Sequence, residues 1–243
     1  VDVVTFREAI SAIEHLVDAE KGGAVFTPNV DHLVMAESNA EFVEAYSRAD
    51  LSLADGMPVV WASRLLGVPL PERVSGADIL WPLLERAAER KWRVYLCGAG
   101  PGVAAEAAVT IQKRLDVNIV GADGPMVDVS NEKQLMAIAE QICAAKPHLV
   151  LMAFGAPKQE LLIQRIRDRI SPAVSLGIGA GLDFIAGTVK RAPVFMQRSG
   201  FEWLYRLMSE PKRLWRRYLV NDPQFALIVL NDLKRRRLQG KQA

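Results

Sequence analysis

The feature that most constrains the fold is a regular alternation of short apolar segments with amphipathic helical segments over the first 188 residues. Segments such as GAVF, RVYLC and HLVLMA are apolar at consecutive positions, as strands buried on both faces are. Each is followed by a turn and then by apolar residues at helical spacing, as in NEKQLMAIAEQICAA. The pattern predicts an α/β fold with a mostly parallel sheet and helices on both faces.

Local signals predict where several elements begin and end. Thr5 and Glu8 form a capping box before the first helix, and Ser75 is the expected N-cap of a later one. The stretch from Asp31 to Ala49 is predicted to be one helix, and LSLAD is predicted to be a strand.

Polar residues and glycines follow five of the predicted strands. Because the ligand crevice of a parallel sheet lies beyond the carboxyl ends of its strands, we expect these residues to gather along one edge. They are, in chain order, Thr27 and Asn29, then Asp55, then Gly98, Gly100 and Gly102, then 155–159, and finally Asp183.

Two of these segments could bind phosphate. GAGPG begins at Gly98 and resembles a nucleotide-binding turn, although Val103 occupies the position of the third glycine. It is equally compatible with a tight turn. Lys158 and Gln159 begin a helix directly after a strand, where they could hold a diphosphate or form a solvated first turn.

Asp55 and Arg73 form a second candidate pair. Asp55 precedes Gly56 and could be a helix cap, but a carboxylate at a strand end in a crevice can also be a general base. Arg73 lies in the Arg-Val-Ser-Gly turn, and its planar guanidinium suits a phosphate or carboxylate.

The charge is divided unequally along the chain. Residues 189–243 contain 13 Lys and Arg against 4 Asp and Glu, whereas residues 1–188 carry a net charge of −7. We therefore predict a core at residues 1–189 and a basic, amphipathic helical appendage at residues 190–243, in which the stretch from Phe201 to Gly240 forms two or three short helices. Its expected partner is anionic: a nucleic acid, a phospholipid surface or a phosphorylated substrate. The apolar run FALIVL is too short to span a bilayer.

The remaining composition excludes several classes of site. Two cysteines do not make a disulfide framework, which predicts a reducing compartment. The three histidines are scattered and no Asp-x-Asp pair is present, so we expect no metal site and no cofactor. The N-terminal segment VDVVTFREAI lacks the features of a signal peptide.

Six motifs in order resemble those of the WecG/TagA/CpsF glycosyltransferases, family 26. They are FTPNVDHLVMA, ADLSLADGMPVVWASRLLG, PERVSGADIL, FGAPKQE, GIGAGLDFIAGTVKRAP and GFEWLYRLMSEPKRLWRRYL. The resemblance implies a Rossmann-like core and an inverting, metal-independent enzyme. Such an enzyme would move N-acetylmannosamine, glucose or another hexose from a UDP-sugar to a polyprenyl-diphosphate-linked saccharide. It also implies a membrane-associating appendage that completes the active site.

The resemblance assigns roles by position. Asp55 matches the general base, with Thr27, Asn29 and Arg73 beside it. The substrate-binding residues it implies, together with the glycines of the predicted phosphate turns, are Gly98, Gly100, Gly124, Lys158, Gln159, Asp183, Arg206, Arg213 and Arg217. One departure from the family pattern is that Pro125 and Met126 follow Gly124 where relatives carry aromatic residues.

These expectations favour a peripheral enzyme on the cytoplasmic face of the plasma membrane that builds a cell-surface polysaccharide and could form a homo-oligomer. Two alternatives stay open: a nucleic-acid-binding protein that uses the basic tail, and a nucleotide-dependent oxidoreductase. Trp203, Leu204, Leu207, Trp215 and Tyr218 interrupt the basic run, which suits an interfacial helix better than a nucleic-acid-binding tail. The oxidoreductase would need an acid about 20 residues beyond the glycine turn, where none is suitably placed.

Overall fold

The computed structural model describes residues 1–239, so the last four residues of the predicted appendage, 240–243, lie outside the described residues. The strands are β1 Gly23–Phe26, β2 Leu51–Ser52, β3 Arg93–Gly98, β4 Asn118–Asp123, β5 Leu149–Ala153 and β6 Val174–Gly177. The helices of the first part are α1 Phe6–Asp18, α2 Val30–Ala36, α3 Ala40–Ser47, α4 Met57–Leu65, α5 Gly76–Glu89, α6 Val103–Arg114, α7 Glu132–Ala145, α8 Lys158–Ile170 and α9 Gly181–Ala186. After these come α10 Val194–Arg198, α11 Glu202–Ser209, α12 Pro211–Arg216, a π-helical turn Arg217–Asn221 and α13 Gln224–Gln239.

The six strands form one sheet in the order β2-β1-β6-β5-β3-β4, and every neighbouring pair is parallel. The predicted α/β fold with a parallel, Rossmann-like sheet is confirmed. The sheet brings the carboxyl ends of all six strands to one edge, which is where the strand-end residues of the sequence must meet.

Alternate residues of each strand pack into two separate cores. On β3, Val94 and Leu96 face one core with α1, α5, α6 and α9, while Tyr95 and Cys97 face another core with α3, α7 and α8. The same alternation holds on β1 and β5. Helices therefore cover both faces, and this double burial explains the continuous apolar strands in the sequence.

Two element predictions are corrected. The stretch from Asp31 to Ala49 is two helices, because the Asn39 side chain accepts a 3.0 Å hydrogen bond from the Phe42 amide and caps a new helix. The strand predicted over LSLAD pairs only at its first two residues, Leu51–Ser52. The capping box of Thr5 and Glu8 and the cap at Ser75 are confirmed.

The segment after Gly187 folds back over the sheet edge. The stretch from Phe201 onward forms α11, α12 with its π-helical turn, and α13, in agreement with the two or three helices predicted. Few of its apolar residues are buried; Leu214 and Val229 are two of them. Arg236 donates a 2.6 Å hydrogen bond to the Leu66 carbonyl at the end of α4. The division into residues 1–189 and 190–243 stays a prediction.

Candidate active site

A cavity of about 810 Å³ lies between the carboxyl edge of the sheet and the appendage. Eleven of the thirteen predicted site residues line it: Thr27, Asn29, Asp55, Arg73, Gly100, Lys158, Gln159, Asp183, Arg206, Arg213 and Arg217. The expected gathering of strand-end residues at one edge is therefore what the structure shows. The appendage supplies one wall of the cavity, because the three arginines come from α11, α12 and the π-helical turn.

Gly98 and Gly124 do not line the cavity; both lie in close backbone packing. A Cβ on Gly98 would lie 2.7 Å from the Ala153 carbonyl oxygen, and Gly98 has φ of +111°. A Cβ on Gly124 would lie 3.1 Å from the Gly100 carbonyl oxygen. The structure thus explains both glycines by strand and loop packing, and Gly100 is the member of the group that reaches the cavity.

Asp55 lies in the cavity wall and is not a helix cap. Helix α4 begins after Gly56 without any side-chain cap, and the Asp55 amide bonds the Pro28 carbonyl at 2.9 Å. The alternative of a structural cap is therefore wrong. The carboxyl group is left free to act on a molecule in the cavity.

The electrostatic surroundings of Asp55 make it a stronger base than an ordinary carboxylate. Burial raises its pKa from 3.8 to about 7. Arg73 and Arg206 act to lower the pKa, while Glu202 and Asp78 act to raise it. A carboxyl group with a pKa near neutrality can accept a proton from a hydroxyl group during reaction.

Two arginines and two carboxylates form an ion-pair cluster beside Asp55. Arg73 contacts Asp78 at 2.6 Å and Glu202 at 3.4 Å, and Arg191 contacts the same two carboxylates at 2.6 Å and 3.8 Å. Asp78 lies in the first turn of α5 and Glu202 in the first turn of α11. The cluster therefore joins the core to the appendage at the point where the base lies.

Thr27 and Gln159 hold the turn between β6 and α9. The Thr27 hydroxyl donates to the Gly177 carbonyl at 3.1 Å. The Gln159 carbonyl oxygen accepts from the Gly179 amide at 3.1 Å, and its amide nitrogen donates to Glu160 at 2.7 Å. Both predicted site residues are buried, and both bond to the protein as well as lining the cavity.

Asn29 connects α2 to the appendage. Its side-chain oxygen caps α2 through the His32 amide and also accepts from Arg217 at 3.3 Å. Arg217 lies 3.3 Å from the Asp31 carboxylate as well. Within the described residues, Arg217 is thus held against α2 across the cavity.

The remaining cations of the cavity differ in their surroundings. The Arg206 guanidinium lies 5.9 Å from the centre of the Phe184 ring, and its buried Nε has no hydrogen-bond partner among residues 1–239. Arg213 pairs with Glu210 at 2.7 Å, and Lys158 is exposed at the start of α8. Arg206 is therefore the cation best placed to take up a bound anion.

Asp183 lies in the first turn of α9 and accepts from the Thr188 hydroxyl at 3.3 Å. On the other side, Pro125 and Met126 line the cavity, and Met126 is 81% exposed. The unbranched side chain of Met126 can adopt several rotamers, so this part of the cavity rim can fit ligands of different shape.

Sequence reasoning missed several residues of the cavity wall. Arg191 and Phe184 lie in the motif GIGAGLDFIAGTVKRAP, and Glu202, Trp203 and Tyr218 lie in GFEWLYRLMSEPKRLWRRYL. Trp203 and Tyr218 pack with ring centres 6.0 Å apart. The motifs contained the signal, but spacing alone did not show which of their side chains point into the cavity.

Two general properties complete the description of the site. Within residues 1–239, no group of three or more His, Cys, Asp or Glu side chains is arranged to hold a metal ion. None of the helices in the same part of the chain combines the length and apolar character that crossing a bilayer requires.

The cavity therefore combines a partly buried base, Asp55, with several guanidinium groups and aromatic rings. Such a site can remove a proton from a hydroxyl group and stabilise a developing negative charge on phosphate oxygens. The aromatic surfaces suit a sugar or a nucleobase.

Comparison with known proteins agrees with this chemistry. The sequence model of the "Glycosyl transferase WecG/TagA/CpsF family" matches residues 1–239. An N-acetylglucosaminyldiphosphoundecaprenol N-acetyl-beta-D-mannosaminyltransferase of Bacillus spizizenii strain W23 is 36% identical over 228 residues, which cover 92% of this chain and 86% of that protein. The enzyme with the same name from Bacillus subtilis strain 168 is 34% identical over 226 residues, which cover 92% of this chain and 85% of that protein. The chain belongs to the WecG/TagA/CpsF family of glycosyltransferases.

Proposed function

We propose that the protein is an inverting, metal-independent glycosyltransferase that moves N-acetylmannosamine from a UDP-sugar to a polyprenyl-diphosphate-linked saccharide. The observation that carries the proposal is Asp55, a carboxyl group with a pKa raised to about 7 in a cavity walled by arginines. The names of the two relatives favour N-acetylmannosamine over glucose or another hexose as the transferred sugar.

In the proposed reaction, a hydroxyl group of the acceptor sugar attacks the anomeric carbon of the donor from the face opposite the UDP group. Asp55 takes the proton of that hydroxyl group as the new bond forms. The bond between the anomeric carbon and the diphosphate oxygen breaks, through a transition state with oxocarbenium character. One displacement at the anomeric carbon inverts its configuration.

The leaving diphosphate gains negative charge as the bond breaks, so cations near it lower the barrier. Arg206 is the first candidate for this role, because its Nε is buried without a partner and, among the described residues, no carboxylate pairs with it, whereas Arg213 and Arg217 each pair with one. Arg213 and Arg217 lie on the same wall of the cavity. They would stabilise the diphosphate once its oxygens replace Glu210 and Asp31, their present ion-pair partners. Protein cations thus take the part that a divalent metal plays in other transferases.

The appendage also supports association with an anionic membrane surface, where a lipid-linked acceptor resides. Large apolar side chains are exposed along it, together with exposed cations. The apolar ones are Val194, Phe195, Phe201, Trp203, Met208, Trp215, Leu219, Val220, Leu227, Leu230 and Leu238. Each basic residue near such a surface contributes about 1 kcal/mol, which is enough in sum for reversible binding at the cytoplasmic face.

The test is to incubate the protein with UDP-N-acetylmannosamine and a lipid-linked N-acetylglucosaminyl diphosphate, and to identify the product by mass spectrometry. UDP-glucose and UDP-N-acetylglucosamine serve as competing donors in parallel reactions. We expect one N-acetylhexosamine to be added from the first donor, and far less product from Asp55→Asn in the same reaction time. Transfer from UDP-glucose alone would replace the proposed donor, and the absence of transfer from any UDP-sugar would overturn the proposal.

A further inference from the structure

Glu160 is a buried carboxyl group next to the cavity wall that none of the roles above uses. Its side chain has no exposed surface, although it lies near the start of α8, close to the exposed Lys158. Burial raises its pKa to about 7. One oxygen accepts the 2.7 Å hydrogen bond from Gln159, and the other has no partner among the described residues. A buried carboxyl oxygen without a partner costs stability, so the presence of this carboxyl group and its one hydrogen bond call for an explanation.

The contact between Glu160 and Gln159 fixes the orientation of an amide group. A primary amide presents an oxygen acceptor on one side and a nitrogen donor on the other, and the two orientations fill almost the same space. Above its pKa the ionised Glu160 carboxylate only accepts hydrogen bonds, so in that state it requires the nitrogen of Gln159 to face it. The oxygen of Gln159 must then face the Gly179 amide, where it accepts at 3.1 Å.

The Gly179 amide belongs to a segment that shapes the cavity. Ile178, Gly179 and Ala180 line the cavity and lead directly into α9, which carries Asp183. The packing under the segment is close, since a Cβ on Gly177 would lie 3.0 Å from the Gln159 amide nitrogen.

We propose that Glu160 is a positioning residue: it orients the Gln159 amide, and that amide holds the turn 177–180 in the shape that binds the sugar nucleotide. Glu160 acts through Gln159 and does not touch the substrate. This inference rests on the proposed function, because the turn is taken to contact the donor.

Two variants separate positioning from simple core packing. Glu160→Leu keeps most of the volume but removes the acceptor, so the Gln159 amide is free to rotate. Glu160→Gln keeps an oxygen acceptor and is the conservative rescue. Ser175→Ala is the matched control, because Ser175 is a buried polar residue on β6 whose hydroxyl also lacks a described partner and makes no hydrogen bond with Gln159.

Three measurements are made on the full chain: UDP affinity by calorimetry, kcat/KM for the donor, and the amide resonance of Gly179 by nuclear magnetic resonance. For Glu160→Leu we expect a displaced Gly179 resonance, weaker UDP binding and a loss of about 10²-fold in kcat/KM, as for a misplaced binding group. Glu160→Gln is expected to restore most of all three, and Ser175→Ala to leave them near the wild-type values.

An unchanged Gly179 resonance and unchanged UDP affinity in Glu160→Leu would overturn the inference. Equal losses in Ser175→Ala would overturn it too, because they would show general damage to the core. If the wild-type protein binds UDP and its Gly179 responds to Glu160 but no sugar is transferred, the proposed function fails while the positioning role stands.

Discussion

Arg73 donates a hydrogen bond of 3.4 Å to Glu202, which lies 129 residues later in the chain. The bond joins the turn before α5 to the first turn of α11, so it crosses from the core to the appendage beside Asp55. Because Glu202 raises the pKa of Asp55 and Arg73 lowers it, the position of α11 bears directly on the base. The appendage therefore contributes to the chemistry of Asp55 as well as to the cavity wall.

Glu202→Gln is expected to move the acid limb of the kcat/KM profile to lower pH. Asp55 must be ionised to act as a base, so activity should rise as the pH passes the Asp55 pKa of about 7. Removing the Glu202 charge takes away one influence that raises this pKa and leaves Arg73 and Arg206, which lower it. The pH–rate profile of the two proteins measures the change.

Glu210→Gln is the matched control for this change. Glu210 also lines the cavity from the start of α12, but it pairs with Arg213 and is not among the charges that shift the Asp55 pKa. Its acid limb should stay at the wild-type position. A limb that does not move in Glu202→Gln, or moves equally in both variants, would argue against electrostatic control by Glu202.

Asp55→Asn is expected to lower turnover by roughly 10²–10⁴-fold, the range for a lost general base. UDP affinity should stay close to wild type, since the asparagine occupies the same space. Steady-state kinetics and calorimetry measure the two quantities. Turnover within a few-fold of wild type would remove Asp55 from the role of base.

The same variant should be more stable than the wild type at alkaline pH. The folded-state pKa of Asp55 is raised from 3.8 to about 7, so the folded protein binds the proton more tightly than the unfolded chain. Wild-type stability therefore falls as the pH rises from about 3.8 to about 7, by at most about 4 kcal/mol, and stays lower above that range. Asparagine does not ionise, so the variant does not lose this stability as the pH rises.

Thermal unfolding of both proteins at pH 4 and at pH 8 tests this sign. The melting temperatures should be close at about pH 4, and Asp55→Asn should melt higher at about pH 8. A variant that melts lower than the wild type at the alkaline pH would show that Asp55 makes a stabilising contact as an anion.

Activity is expected to survive an excess of EDTA, because guanidinium groups line the cavity where the diphosphate charge develops. The measurement is the initial rate of sugar transfer before and after chelation, with a metal-dependent transferase treated in parallel. A loss of activity that Mg²⁺ or Mn²⁺ restores would contradict the metal-free mechanism.

Replacing Arg206, Arg213 and Arg217 together by alanine should reduce turnover far more than vesicle binding. These three residues line the cavity, whereas basic residues such as Lys212, Arg216 and Arg235 are exposed and lie outside it. The matched control replaces Lys212, Arg216 and Arg235 by alanine. These residues are exposed and do not line the cavity, and their replacement removes the same amount of positive charge.

Turnover and sedimentation with anionic vesicles are measured for both triple variants. The control should lose vesicle binding and keep turnover on a water-soluble acceptor. Equal effects of the two triple variants on turnover would show that the cavity arginines contribute only through overall positive charge. Binding to DNA in a gel shift, without binding to vesicles, would favour the nucleic-acid alternative for the tail.

Most of the fold and much of the site follow from local patterns in the sequence. Consecutive apolar residues correctly predict buried strands, and the rule for parallel sheets correctly predicts that Asp55 and Asp183 share one edge. The helix break at Asn39 was missed because a capping residue inside a helical pattern gives only a weak signal.

The long-range contacts could not be predicted in the same way. Arg217 meets Asn29 from 188 residues away, and no local pattern records which part of α2 it will contact. Glycine was ambiguous for a different reason: Gly98 permits close approach of a neighbouring strand, and the same residue type permits close approach of a ligand. Only the three-dimensional packing distinguishes these two uses.

The order of the strands also has a consequence for how the chain is made. Of the six strands in residues 1–239, β6 is the last to be synthesised, yet it lies in the interior of the sheet between β1 and β5. Until residue 177 has left the ribosome, the nascent chain can form only two incomplete half-sheets, β2-β1 and β5-β3-β4, with no strand pairing between them. Both would present unpaired backbone at the edges that β6 later fills, and such edges invite aggregation. The segment 178–180, which lines the cavity, therefore directly follows β6, the strand that joins the two half-sheets. A chain stalled before β6 would have neither a continuous sheet nor a complete cavity.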